Sequence, residues 1–215
     1  MSSLKAMFTG LIEHVGRVAA LDPIEGGYRL SIETDVAAQL RDGDSIAVNG
    51  VCLTVVRREA GRFDTEIGPE TARVTTLGSF RPGTAVNLER PMRLDGRMGG
   101  HFVLGHVDGA GTLTAIRQDG EFWWITVAFD PAMAPYFISK GSVAVDGISL
   151  TVAALRDDEF DVQIIPFTID HTNLQASRPG DGVNLEVDVI GKYVLRVAQL
   201  AGMWPAGGRA PLETP

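Results

Sequence analysis

At 215 residues the chain is long enough for one large domain, or for two of about 100 residues that each bury a core. Its formal net charge of −8, from 27 acidic and 19 basic residues with no basic run beyond Arg57-Arg58, argues against nucleic acid or an anionic membrane as partner, since both need a concentrated positive footprint. The single cysteine, Cys52, excludes an intrachain disulfide, and neither a signal-peptide pattern nor an apolar run of ~20 residues is present, so the sequence reads as cytosolic, without a membrane span and with a small-molecule partner.

Taken in chain order, short apolar or alternating segments separated by Gly, Pro and Asp turn signals predict strands over residues 45–56, 62–67, 85–88, 122–129 and 160–165. Such spacing predicts an all-β fold, a small barrel or sandwich in each half of the chain. Helical periodicity is clear once, where Ile190, Tyr193, Val194, Val197, Ala201 and Trp204 fall on one stripe that Gly202 and Pro205 close. That amphipathic helix has either its own barrel to cover or a partner chain to meet. Residues 205–215 read as a disordered tail.

The chain also repeats itself. At an offset of 97, residues 45–55 (SIAVNGVCLTV) match residues 142–152 (SVAVDGISLTV) at 7 of 11 positions, and residues 77–89 (LGSFRPGTAVNLE) match residues 174–186 (LQASRPGDGVNLE) at 8 of 13. Pro69, Thr71 and Thr75 fall opposite Pro166, Thr168 and Thr172, and the leading segments align more weakly through Gly10 with Gly105 and Gly16 with Gly111. This is a tandem duplication.

The linker between the copies, GGHFVLGHVDG at residues 99–109, holds His101 and His106 in a glycine-rich setting, where alternation sends His101 and Val103 to one face and Phe102 and Leu104 to the other. No HExxH or CxxC spacing accompanies them, so no metal site is expected, and the absence of GxxxxGK[ST] and GxGxxG leaves no nucleotide cofactor indicated. Cys52 and Ser149 occupy matching slots before Leu-Thr. Two readings stand there: an ordinary buried thiol with drift at a tolerant position, or duplicated pockets whose polar groups have diverged so that two like molecules play unlike roles.

The start MFTGLIE, the blocks NGVCLTV and KGSVAVDGISLTV, the linker GGHFVLGHVDG and the stretch VNLEVDVIGKYV together resemble the riboflavin synthases, trimeric enzymes of two lumazine-binding repeats, over residues 7 to about 197. The resemblance implies two similar Greek-key β-barrels, residues 7–101 and 102–189, then an oligomerisation helix over 190–204. The six residues before the usual start at Met7 read as an extension or as a misassigned initiator. It implies transfer of a four-carbon unit between two molecules of 6,7-dimethyl-8-ribityllumazine, giving riboflavin and 5-amino-6-ribitylaminouracil without a cofactor. It implies too a homotrimer whose active sites lie between the first repeat of one subunit and the second of its neighbour. The lumazine synthase that makes the substrate is a further partner candidate.

The same resemblance assigns the site. Catalytic candidates are Cys52, His106, Asp146, Ser149 and Asp188, with Ser149 and Thr151 holding a lumazine, Asp146 or His106 handling protons and Cys52 addressing the partner molecule. Gly10, Leu11, Ile12, Gly105 and Val107 would line the ring edges, Leu53 and Thr54 the first pocket, and Lys140, Gly147, Ile148 and Leu150 the second, Lys140 pairing with pocket or ligand oxygens. The ribityl chains would lie near Glu66, Ile67, Gly68, Pro69, Glu70 and Thr71 in one pocket, and near Val162, Gln163, Ile164, Ile165, Pro166, Phe167 and Thr168 in the other. Phe167 departs from the polar residue expected opposite Glu70, which leaves sugar recognition there to main chain or Thr168. A relative that binds lumazine or flavin without turnover, as a fluorescent carrier, is the alternative function. Retention of Cys52, His106, Asp146 and Ser149 across both repeats favours the enzyme.

Overall fold

A computed structural model describes residues 6–203; Trp204 and the tail over 205–215 lie outside the described residues, as do five of the six residues before Met7. The first repeat supplies β1 (His14–Ile24), β2 (Gly27–Glu33), β3 (Ser45–Val48), β4 (Val51–Glu59), β5 (Arg62–Ile67) and β6 (Ala85–Glu89), which close in the order β1-β2-β5-β4-β3-β6. The second supplies β7 (Gly109–Asp119), β8 (Phe122–Ala128), β9 (Ser142–Val145), β10 (Ile148–Leu155), β11 (Glu159–Ile164) and β12 (Gly182–Val187), closed in the same cyclic order. All ladders are antiparallel, and closure leaves no open edge.

Each barrel follows from period-two burial. On β4, Val51, Leu53 and Val55 face the core while Cys52 and Thr54 face out; on β10, Ile148 and Val152 are buried while Thr151 is exposed. Strands bend around the barrels at register shifts between Val18 and Ala20 and between Val55 and Arg57, repeated between Leu113 and Ala115 and between Val152 and Ala154. Phe63, Leu30 and Ile46 fill the first core, and the contacting rings of Phe129, Phe137 and Phe160 fill the second.

Two sequence expectations need correction. Residues 45–56 are two strands, because Asn49 and Gly50 both adopt left-handed backbone (φ 44° and 76°), the conformation that a two-residue hairpin turn needs. Asp146 and Gly147 do the same in the second repeat (φ 46° and 78°). The helix, in turn, runs over Val189–Leu200 and stops short of Trp204. Asp188 caps it, its Oδ1 accepting from the Ile190 amide at 3.0 Å, and Gly202 (φ 67°) turns the chain out of it. In chain order the α-helices are α1 (Pro69–Val74) and α2 (Pro166–Asp170), one short turn on each barrel, and α3 (Val189–Leu200).

The barrels meet around an approximate two-fold relation. Phe8 and Val103 exchange backbone hydrogen bonds of 2.8 and 3.2 Å, and they bury with Ala47 and Ala144 between the barrels. The two hairpin turns touch so closely that a Cβ on Gly50 would lie 2.7 Å from the Gly147 nitrogen, and a Cβ on Gly147 2.8 Å from that of Gly50. Around them Asn87 Nδ2 donates to the Asp146 carbonyl (3.0 Å) and Asn184 Nδ2 to the Asn49 carbonyl (2.9 Å). Buried polar groups therefore pair across the junction. The stripe of α3 points away from both barrels, with Tyr193 and Val197 72% and 61% exposed. The helix touches the second barrel through Leu195 on its other side and through Lys192, whose Nζ lies 2.7 Å from Asp108. Among the described residues no helix is long and apolar enough to cross a membrane.

Candidate functional site

Outward-facing side chains of one hairpin form the floor of each of two clefts. In the first barrel Ser45 stands across the strand pair from Thr54, with Cys52 beside them on β4; in the second, Ser142 stands across from Thr151, with Ser149 beside them on β10. The clefts share one plan because the hairpins share one sequence.

Each cleft takes a wall from the other repeat. The Cys52 amide donates to the Gly105 carbonyl at 2.9 Å, and the Ser149 amide donates to the Gly10 carbonyl at 2.8 Å. Val107 packs on the first barrel and Ile12 on the second. Glycine is required at both crossings: a Cβ on Gly105 would lie 2.5 Å from that of Cys52, and one on Gly10 2.6 Å from that of Ser149. The first cleft thus gathers Cys52, Thr54, Gly105 and Val107, and the second gathers Ser149, Thr151, Gly10 and Ile12. A cavity of about 670 Å³ opens beside Ser45, with Leu11, Leu40, Arg90 and Met92 among its walls.

The reactive groups of the two clefts sit in unlike fields. Burial pushes the Cys52 thiol up from its ordinary value, against a hydrogen bond from Ser45, so at neutral pH it is a thiol and not a thiolate. Ser149 Oγ lies 2.7 Å from His101 Nδ1. Burial pushes the His101 imidazole down, opposed by the charge of Asp188, and it is therefore neutral at pH 7; its Nε2 is buried without a hydrogen-bond partner. A neutral imidazole on a serine hydroxyl is equipped to move a proton. His101 is missing from the sequence-based site, although its alternation with Val103 places it on the inner face, and both are buried while Phe102 is exposed. Ser45 is missing from it too; its register with Thr54 is a long-range fact that local spacing does not carry.

Other candidates lie elsewhere. Asp146, expected to handle protons, sits at the turn between barrels, 3% exposed, its carboxylate accepting from the Asn184 amide and from Asn173 Nδ2, both at 2.8 Å. Burial raises its pKa to about 7 despite those bonds, and it is a group of the barrel interface. Leu53, Ile67, Ile148, Val162 and Ile164 point into the barrel cores and present only main chain to a cleft, and Leu150 packs partly against the core. Gly147 is sealed against Gly50. Lys140 (φ 66°) spends its amine on the Ala153 carbonyl at 3.0 Å. Glu66 pairs with Arg29 at 2.9 Å and Glu70 with Arg73 at 2.9 Å, on the surface. Thr71 and Thr168 are half-buried and play the same local part, their carbonyls accepting from Thr75 and Thr172. Phe167, 64% exposed, stacks on His171 with centroids 4.0 Å apart. Gly68, Pro69, Gln163, Ile165 and Pro166 are exposed along the same rim. His106 is exposed, with its amide bound to Glu186 at 3.0 Å, and Asp188 combines the helix cap with its influence on His101.

Comparison with known proteins agrees with this duplicated plan. The Lumazine binding domain family matches twice, over residues 9–91 and 104–188. The chain is 46% identical to riboflavin synthase of Mycobacterium tuberculosis over 202 residues, 91% of this chain and all of that one, and 43% identical to riboflavin synthase of Actinobacillus pleuropneumoniae over 190 residues, 87% and 88% of the two. A crystal structure of LumP complexed with 6,7-dimethyl-8-(1'-D-ribityl) lumazine superposes with a TM-score of 0.76 at 22% identity, covering 84% of this chain and 98% of that one, a likeness of fold.

Proposed function

We propose, for a chain that belongs to the riboflavin synthase family of lumazine-binding proteins, that it is a transferase moving a four-carbon unit between two molecules of 6,7-dimethyl-8-ribityllumazine. Riboflavin and 5-amino-6-ribitylaminouracil are the products. This reading rests above all on the pair of like-built clefts with unlike groups on their floors, Cys52 in one and Ser149 paired with His101 in the other. Donor and acceptor are the same compound, so recognition needs one plan twice, while reaction needs two different chemistries.

The carbons lost by the donor are those gained by the acceptor, so the atoms balance with no added oxidant or cofactor. The 7-methyl group of the lumazine is an acidic carbon acid because its anion spreads into the electron-poor ring. Ser149 and neutral His101 are placed to take and return such a proton, and Cys52, held as a thiol, to donate one. Acid–base help of this kind contributes about 10²–10⁴-fold. Holding two rings face to face contributes about 7–11 kcal/mol. Thr54 and Thr151 supply hydroxyls on the cleft floors, Ser45 donates to Cys52, and the backbone at Gly10 and Gly105 comes close enough to border a flat ring.

The reading includes a cytoplasmic homotrimer in which the Cys52 cleft of one subunit faces the Ser149 cleft of the next, with the lumazine synthase as supplier of substrate. Its support is the exposed apolar stripe of Ile190, Tyr193, Val194 and Val197, a larger patch than a solitary helix keeps in water. Incubation of the purified chain with the lumazine alone should yield the two products in equal amounts. Tight binding without consumption would overturn the enzyme in favour of a carrier.

A further inference from the structure

The VNLE block, repeated unchanged at residues 86–89 and 183–186, ends in Glu89 and Glu186, two carboxylates that the proposed chemistry does not use. Both are almost wholly buried, 4% and 2% exposed, at the ends of β6 and β12. Taking a carboxylate out of water is costly unless its oxygens are satisfied. Each is satisfied by donors of its own repeat's leading segment, main-chain N–H groups and, for Glu89, one hydroxyl. Glu89 accepts from the Thr9 amide (2.6 Å), the Thr9 hydroxyl (2.9 Å) and the Gly10 amide (3.0 Å). Glu186 accepts from the amides of Leu104 (2.7 Å) and His106 (3.0 Å).

Those leading segments serve the opposite cleft. The carbonyls of Thr9 and Gly10 receive the amides of His101 (3.1 Å) and Ser149 (2.8 Å), and the carbonyl of Gly105, between Leu104 and His106, receives the amide of Cys52 (2.9 Å). We propose that Glu89 and Glu186 are crossed positioning residues: Glu89 of the first barrel sets the His101–Ser149 pair on the second, and Glu186 of the second barrel sets the wall over Cys52 on the first. These buried hydrogen bonds hold two consecutive or near-consecutive amides, which orients the neighbouring carbonyls toward the floor of the other cleft. The inference rests on the function proposed for the clefts, and its consequence is that each barrel helps to set the cleft floor of the other, Glu89 through Ser149 and the linker's His101, and Glu186 through Cys52.

Glu89→Gln and Glu186→Gln test it in the full chain, since each keeps one acceptor oxygen and turns an NH2 toward the second amide. Two reporters separate the clefts: the alkylation rate of Cys52, the chain's one cysteine, by neutral iodoacetamide, and the NMR signals of the His101 ring. Glu186→Gln, and Glu186→Asp, which keeps the charge that itself helps to hold the Cys52 thiol up, should both raise the Cys52 rate by about three- to tenfold and leave the His101 signals in place, and a rise with Gln alone would trace to charge and overturn the positioning. Glu89→Gln should shift His101 and leave the Cys52 rate within about twofold. Both should lower kcat by about tenfold or more with a smaller change in KM. Equal response of both reporters to both variants would mean general loosening and would overturn the proposal, as would no response at all. Should a glutamine variant be insoluble, Glu→Asp at the same position keeps the charge, withdraws it by one methylene and is expected to give the same crossed pattern. If the wild-type chain turns over no lumazine while the reporters still respond crosswise, the function fails and the positioning stands. Turnover without the crossed response leaves the function standing and removes the positioning.

Discussion

The two repeats share strand order, bulges and hairpin turns, and they keep the same residue at Asn87 and Asn184 and at Glu89 and Glu186, yet other equivalent polar positions have parted. Asn49 corresponds to Asp146, Thr76 to Asn173, Cys52 to Ser149 and Glu70 to Phe167. The backbone plan that duplication supplied is held by glycines at close approaches, Gly50 on Gly147 and Gly10 and Gly105 on the opposite floors, where any side chain would collide. The retained asparagines and glutamates bind main chain of that plan, whereas divergence is found both in the groups that face a cleft or the rim, Cys52/Ser149 and Glu70/Phe167, and at the junction, where Asn49 and Asp146 each still accept from a main-chain amide. A doubled scaffold thus fixes where chemistry sits without fixing what it is.

The most severe test of this division keeps both clefts intact and separates them. Val197→Asp on the exposed stripe of α3 should give monomers by sedimentation and lower turnover by about 10²-fold or more, with each barrel still folded. Full activity in a monomer would remove the intersubunit site. Next, Ser149→Ala should lower kcat by about 10²-fold by leaving His101 without its hydroxyl, while Cys52→Ala should cost about tenfold, more in kcat than in KM. Equal losses would mean that the clefts are chemically alike after all.

Two substitutions then probe the asymmetry of the junction through stability. Asn49→Asp places a second carboxylate at the Asn173 amide that already serves Asp146, and should destabilise the chain by about 3 kcal/mol at pH 8 in urea titration. Asp146→Asn gives the pH-dependent counterpart. The folded-state pKa of Asp146, about 7, lies above its ordinary value of 3.8, so between those values the folded chain holds a proton that the unfolded chain has released. Stability contributed by this group therefore falls as pH rises from about 4 to 7, by an amount on the order of 4 kcal/mol at most. Glu186, also raised to about 7, adds a fall of the same sign. Wild type should lose more stability between pH 5 and pH 8 than Asp146→Asn does; parallel curves would show that Asp146 is ionised throughout.

Much of the fold is legible in local pattern. Val51, Leu53 and Val55 alternate with Cys52 and Thr54 at a period of two, and turn residues on both sides bound Arg62–Ile67. The split at Asn49-Gly50 carries a hairpin signal, but the apolar residues on either side of it read as one continuous run. The helix stripe is legible as well, but not its direction: Tyr193 and Val197 face outward, since Leu195 and Lys192 make the contacts with the barrel. For the site, Cys52 and Ser149 stand out as diverged partners in a duplicate, whereas the choice between His101 and His106 depends on which ring meets Ser149.

The duplication, the β character of each half and the family need only the order of residues, because they rest on identities at a fixed offset and on periodicities of neighbours along the chain. Folding in three dimensions was needed to establish that Gly10 lies on Ser149 and Gly105 on Cys52, that Asp146 belongs to the junction, and that Glu89 and Glu186 reach the amides they hold. The cause is the exchange of leading segments between closed barrels. It joins groups dozens of residues apart through backbone hydrogen bonds, and backbone bonds leave little trace in side-chain pattern beyond the glycines that permit them.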